Sequence, residues 1–73
     1  MKFNDFDLNN LTELQQFIVP MDFQHRKVAI FRIADACGVV RRTVTDWIIK
    51  GMEPKPFFKR KINQEFNRQI FKL

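Results

Sequence analysis

Cysteine and histidine are nearly missing from this sequence: there is one of each, Cys37 and His25. A lone cysteine excludes an intramolecular disulfide framework. One Cys and one His cannot supply four zinc ligands, so no metal and no other cofactor is expected. Glycine is almost as scarce, with two residues, and no Gly-rich phosphate loop can be built from them. There is no Ser/His/Asp or Cys/His set and no pair of carboxylates at fixed spacing. The reading is therefore of a protein that is not an enzyme and has no small-molecule substrate. No apolar run approaches the ~20 residues needed to span a bilayer, so no membrane partner is expected. The start, MKFNDFDLNN, has no basic stretch followed by an apolar run and does not read as a signal peptide. The expected setting is the cytoplasm.

What is present is aromatic and basic. The chain has 73 residues, the size of one domain. Such a domain buries only ~60% of its unfolded surface, so its thin core needs large side chains. Nine Phe and Trp47 fit that need. The formal net charge of +5 is unevenly spread. Residues 1–40 carry Lys2, Arg26, Lys27 and Arg32 against Asp5, Asp7, Glu13, Asp22 and Asp35, a net of −1. Residues 41–73 carry nine basic residues against Asp46, Glu53 and Glu65, a net of +6. A basic half on a small domain suggests a polyanion partner, nucleic acid first, although a solvated basic surface would look the same on charge alone.

Along the chain, residues 1–9 read as loosely ordered. Asn10 can cap a helix, with Glu13 reaching back. Leu11, Leu14, Phe17 and Ile18 fall on one face at helical spacing, while Thr12, Gln15 and Gln16 face water. Pro20 is a stop, so a first helix over roughly 10–18 is expected, covering the core. Residues 19–26 read as a connection. The second half of KVAIFRIADAC (27–37) reads as a helix that Gly38 ends in a left-handed cap. A third helix fits from Arg41 or Arg42 to Lys50, ended the same way by Gly51, with Pro54 and Pro56 preventing continuation.

The second and third of these helices fill a helix-turn-helix frame that opens at Ile30 and runs to about residue 50. Ile33, Cys37, Val39, Val44 and Trp47 are apolar where the two helices must face each other and the core. Ala34 is small where the helices approach, and Gly38 supplies the positive φ the turn requires. An ordinary helical hairpin with a Gly turn is the plainer alternative. With Val44 and Trp47 buried, Arg41, Arg42, Thr45 and Asp46 lie on the outer face, with Thr43 at its edge and Lys50 at the helix end. Such a helix sits in the major groove with its N-terminal residues against base edges. Arg donates two parallel hydrogen bonds to guanine O6 and N7, so Arg41 and Arg42 are the leading base readers. Thr43 and Thr45 can bond phosphate or touch a thymine methyl. Asp46 can accept from cytosine, but its favoured role is to orient Arg42 from one turn away.

After Pro56 the pattern changes. FFKRKI and RQIFKL are rich in aromatic and β-branched residues, and NQEFN between them carries two Asn suited to a turn. This reads as a β-hairpin over about 57–73. The rival is a C-terminal helix over about 62–72, with Ile62, Phe66 and Ile70 spaced by four. On a hairpin, Lys59 and Lys61 would share one face and Arg60 the other, with Arg68 joining from the return strand. Such a wing contacts backbone phosphates or the minor groove, unless the lysines merely guard a solvated edge strand. Met52 and Phe57–Phe58 would pack the wing onto the helices. Cys37 is expected to be a buried, inert thiol, His25 a surface residue, and the acidic start FNDFDL a frayed or core-covering segment.

The stretch IADACGVVRRTVTDWIIKGMEPKP (33–56) resembles small regulators of phages and mobile elements. Its part GVVRRTVTDWIIKGMEPKP is similar to the excisionase and Cox-type winged-helix pattern: a Gly-Val turn, Arg-Arg-Thr-Val, a Trp-Ile pair, a Gly, then a Pro leading into a wing. Cro-type repressors and the DNA-binding part of phage terminase small subunits share much of it. The resemblance implies a bacterial host cell, base contact by Arg41, Arg42, Thr43 and Thr45, and wing contact by residues 59–61 and Arg68. One departure is Val40, where such proteins carry a Ser or Thr cap before the recognition helix.

The resulting expectation is a mainly α domain with a small β part: one winged helix-turn-helix domain over 1–73, three helices followed by a hairpin. Its expected function is sequence-specific binding of double-stranded DNA, as a phage-type repressor or an excisionase-like architectural factor, as a homodimer or cooperative oligomer on DNA. The alternatives are the recognition part of a phage packaging protein and a protein-interaction or inhibitor module acting through the acidic start.

Overall fold

The computed structural model describes residues 6–73. Four helices follow one another: α1 (Glu13–Ile18), α2 (Phe23–Cys37), α3 (Arg41–Ile49) and α4 (Pro56–Phe66). Helix α2 is the spine. It packs against α3 on one side and α4 on another, while α1 rests on α3. Among the described residues there is no strand, and no helix is long and apolar enough to cross a membrane. Residues 1–5 of the start expected to be loosely ordered lie outside the described residues. Phe6, the second aromatic of that start, packs against the core.

The core is contributed by every helix and by the tail. Leu14 and Ile18 of α1 share it with Ala29, Ile33, Ala34 and Cys37 of α2. Val44, Trp47 and Ile48 come from α3, Ile62 from α4, and Ile70 and Phe71 from the chain after it. The apolar residues of the helix-turn-helix frame are thus buried, with Val39 half-buried. Gly38 caps α2 at φ +68°, and its N–H bonds back to the last turn of that helix. Gly51 is likewise left-handed, at φ +65°.

Three local expectations are corrected by hydrogen bonding. Helix α1 begins at Glu13, not Asn10, because Thr12 accepts from the Gln15 N–H while the Gln15 side chain accepts from the Thr12 N–H. The capping box is thus closed by Gln15, and Glu13 instead accepts from the Lys72 N–H at 2.9 Å. Gln15 was expected in water but is buried, its amide donating to the Ile48 carbonyl at 2.7 Å. Helix α2 starts at Phe23 within the expected connection, because Asp22 accepts from the His25 N–H at 2.9 Å and caps it.

The hairpin wing is replaced by α4. Pro56 occupies the first turn of this helix, where its missing N–H costs nothing and its fixed φ is already helical. Asn67 does take a positive φ, +49°, but as the C-cap of α4 and not as a hairpin turn. Asn63 lies within the helix, and its side chain bonds both the N–H and the carbonyl of Phe71. The aromatic run FKL therefore folds back on α4 as irregular chain and buries Phe71. The rival helix over 62–72 has the right type and the wrong span. Ile62 is buried as its spacing implied, but the helix ends at Phe66 and Ile70 is buried from beyond it. Phe58 packs on the core, whereas Met52 and Phe57 remain exposed.

Candidate nucleic-acid interface

Helix α3 begins at Arg41 after an extended Val40 that provides no side-chain cap. Two arginines therefore stand at a helix N-terminus, where the dipole is positive and cations are disfavoured by ~0.3–1 kcal/mol each. Inward, Val44 and Ile48 are fully buried, and Trp47 lies 5.5 Å from the Phe58 ring. That anchoring fixes which side chains of α3 leave the surface. Arg41, Arg42 and Lys50 are exposed, while Thr43, Thr45 and Asp46 are half-buried.

The outer residues divide into two sets. Arg42 donates from Nε to Asp46 Oδ1 at 3.2 Å, and Lys50 Nζ approaches the same oxygen at 3.9 Å. Asp46 thus holds cations one turn before and one turn after itself. Arg41 is held differently. Its guanidinium lies 4.4 Å over the Phe31 ring of α2, and Thr45 Oγ1 donates to the Arg41 carbonyl at 3.0 Å. Arg41 and Thr45 therefore lean toward α2, while Arg42, Asp46 and Lys50 form the far edge. Between α3 and the N-terminal half of α2 runs a cleft of about 380 Å³. Its walls include Phe23, Lys27, Ile30 and Phe31 from α2 and Arg41 and Thr45 from α3.

The residues expected on a wing are not brought together. On a helix, three successive side chains fan out at ~100° intervals, so residues 59–61 share no face. Lys59 turns inward: its side chain is 19% exposed, with Nζ 2.8 Å from Glu53 Oε2 and 5.4 Å from the Phe71 ring centroid. Lys61 covers the Phe57 ring at 5.5 Å, and Arg68 covers Phe17 at 5.0 Å. Arg60 is exposed on α4. Another cation joins helices: Arg32 donates to Glu65 Oε2 at 2.9 Å and to the Glu65 carbonyl at 3.0 Å, over the Phe66 ring.

Sequence reasoning did not single out Phe31 or Phe23. The available signal was spacing: neither belongs to the set Ala29, Ile33, Ala34 and Cys37 that α2 turns inward. Among the described residues no group of three or more His, Cys, Asp or Glu is placed to hold a metal. The Cys37 thiol is pushed up from its ordinary pKa by burial. Asp22 is lowered, first by the His25 backbone N–H and then by the His25 ring, with Nδ1 2.8 Å away; both are interactions of a helix cap. Compared with protein-family models, with curated proteins and with solved structures, the chain matches none of them.

Proposed function

We propose that this protein binds double-stranded DNA sequence-specifically, with α3 as the recognition helix in the major groove, and that it regulates transcription in the manner of small phage repressors. The observation that carries this reading is the outer face of α3. A helix anchored by Val44, Trp47 and Ile48 leaves Arg41, Arg42 and Lys50 exposed, Arg41 on the edge toward α2 and Arg42 and Lys50 on the far edge beside Asp46. An arginine pair at a helix start is costly in isolation and is offset when an anion arrives there. The Arg42–Asp46 pair supports a reading residue with a fixed approach. In the absence of a wing, this proposal rests on the helix-turn-helix alone, the part that Cro-type repressors also share.

Selection from random duplexes, followed by equilibrium binding to the selected site, tests the proposal. Arg41→Ala and Arg42→Ala are each expected to cost ~1–3 kcal/mol at one base pair, where a bidentate contact to guanine is lost. Lys50→Ala is expected to weaken all sequences alike and to flatten the salt dependence by about one unit if it meets one phosphate. Equal binding of wild type and the double arginine variant would contradict base reading by α3. Symmetry of the selected site would report half-sites, hence a dimer on DNA.

A further inference from the structure

Phe31 is 37% exposed and lies outside the residues that α2 turns into the core, so core packing does not account for it. It forms the wall of the cleft beside α3, and Arg41 lies flat over it. A stacked guanidinium keeps its charge and its in-plane N–H groups, because the ring engages only its face. Arg42, by contrast, has one N–H engaged and its charge partly offset by Asp46. The two arginines are thus prepared differently, and Arg41 is the one with its full donor edge open. Thr45 lines the same cleft with its hydroxyl hydrogen already directed to the Arg41 carbonyl. Lys27, one turn before Phe31 on α2, lines the cleft as well, and no Asp or Glu does.

We propose that this cleft is a thymine-reading subsite: Phe31 positions Arg41, and the apolar wall beside it takes the 5-methyl group of a thymine next to the base Arg41 reads. The inference rests on the DNA-binding reading of α3 and extends its footprint onto α2. The lining asks for an occupant that is both anionic and locally apolar. Duplex DNA is a polyanion, and the thymine methyl is the apolar group among the base edges of its major groove. The cleft is continuous with the α3 face, since Arg41 and Thr45 belong to both. Lys27 on the same wall then supplies a cation for a backbone phosphate beside that base.

The test compares wild type, Phe31→Ala and Phe31→Tyr on the selected duplex, with each thymine beside the Arg41-dependent base pair replaced in turn by deoxyuridine. Removing one methyl is expected to weaken wild type and Phe31→Tyr roughly fourfold at one position, and to leave Phe31→Ala unaffected. Phe31→Ala is also expected to lose base discrimination at the Arg41 position, as Arg41→Ala does, with Phe31→Tyr restoring it. Helical circular dichroism should not distinguish the three, because Phe31 lies outside the core. If wild type selects a site but deoxyuridine costs all three proteins the same and Phe31→Ala keeps its base preference, the subsite is refuted while α3 reading stands. If wild type selects no duplex at all, the DNA reading fails and the subsite with it, and a protein partner becomes the occupant to seek.

Discussion

Gln15 does more than its position on α1 suggests. It closes the capping box on Thr12, and its amide reaches across to the Ile48 carbonyl of α3, with nine-tenths or more of the residue buried. Gln15→Leu keeps the bulk but leaves the Thr12 N–H and the Ile48 carbonyl without these partners. The buried Ile48 carbonyl left unpaired costs about 1–3 kcal/mol and the half-buried Thr12 N–H less, so chemical denaturation should show a loss of that size or slightly more, whereas Gln16→Leu, at an exposed site, should be near neutral. Gly38 is a cleaner case. A Cβ added there meets nothing within 4 Å, so Gly38→Ala should cost only the left-handed backbone penalty of roughly 1–2 kcal/mol. A larger loss on denaturation would mean that the turn is also sterically constrained. Gly38 was legible in the sequence because glycine has one strong reason to stand after a helix. Gln15 was not, because a polar residue on a helix does not announce a carbonyl that a distant segment will bring to it.

At the scale of elements, helix α3 and the end of α2 could be read from the chain, since the spacing Ile33, Cys37, Val44 and Trp47 and the two glycines all agree. The last segment could not. Residues 57–62 suit a strand by composition and a helix by periodicity, and the arbiter is tertiary: α2 offers a surface on which Ile62 is fully buried. Pro56 was read as a barrier to α3, which ends earlier, before the left-handed Gly51, and not as the first turn of a new helix. The helical account makes a combined prediction. Ile62→Ala should destabilise by ~2–5 kcal/mol, as for other fully buried aliphatic residues. Lys59→Ala should lower stability by about 0.2–1 kcal/mol through loss of the Glu53 pair, yet leave the salt slope of DNA binding unchanged. A reduced slope would place Lys59 at a phosphate and contradict its inward orientation. The start of α2 was missed for a related reason: Asp22 and His25 form a cap only when the intervening chain is helical, and VPMDFQHR has no apolar periodicity to announce it.

For the molecule as a whole, the cations of the basic half are distributed over different helices and different partners. Several cations of the basic half are engaged within the fold, Lys59 by Glu53, Lys61 over Phe57 and Arg68 over Phe17. The cations of α3 are exposed on a helix that Val44, Trp47 and Ile48 anchor, Arg41 over Phe31 and Arg42 and Lys50 beside Asp46. Composition alone could not separate these groups, because a lysine that covers a ring and one that meets a phosphate look alike in a sequence. The candidate face was legible to the extent that α3 was legible. Its extension onto α2 was not, because it depends on how two helices cross. Amide chemical-shift mapping during titration with duplex DNA tests the central claim most directly. Binding through α3 predicts that the perturbed amides cluster at residues 41–50, with those of 27–31 beside them, while Asn63–Phe66 on α4 stay still. No perturbation at physiological salt, or a cluster centred on α4, would contradict it.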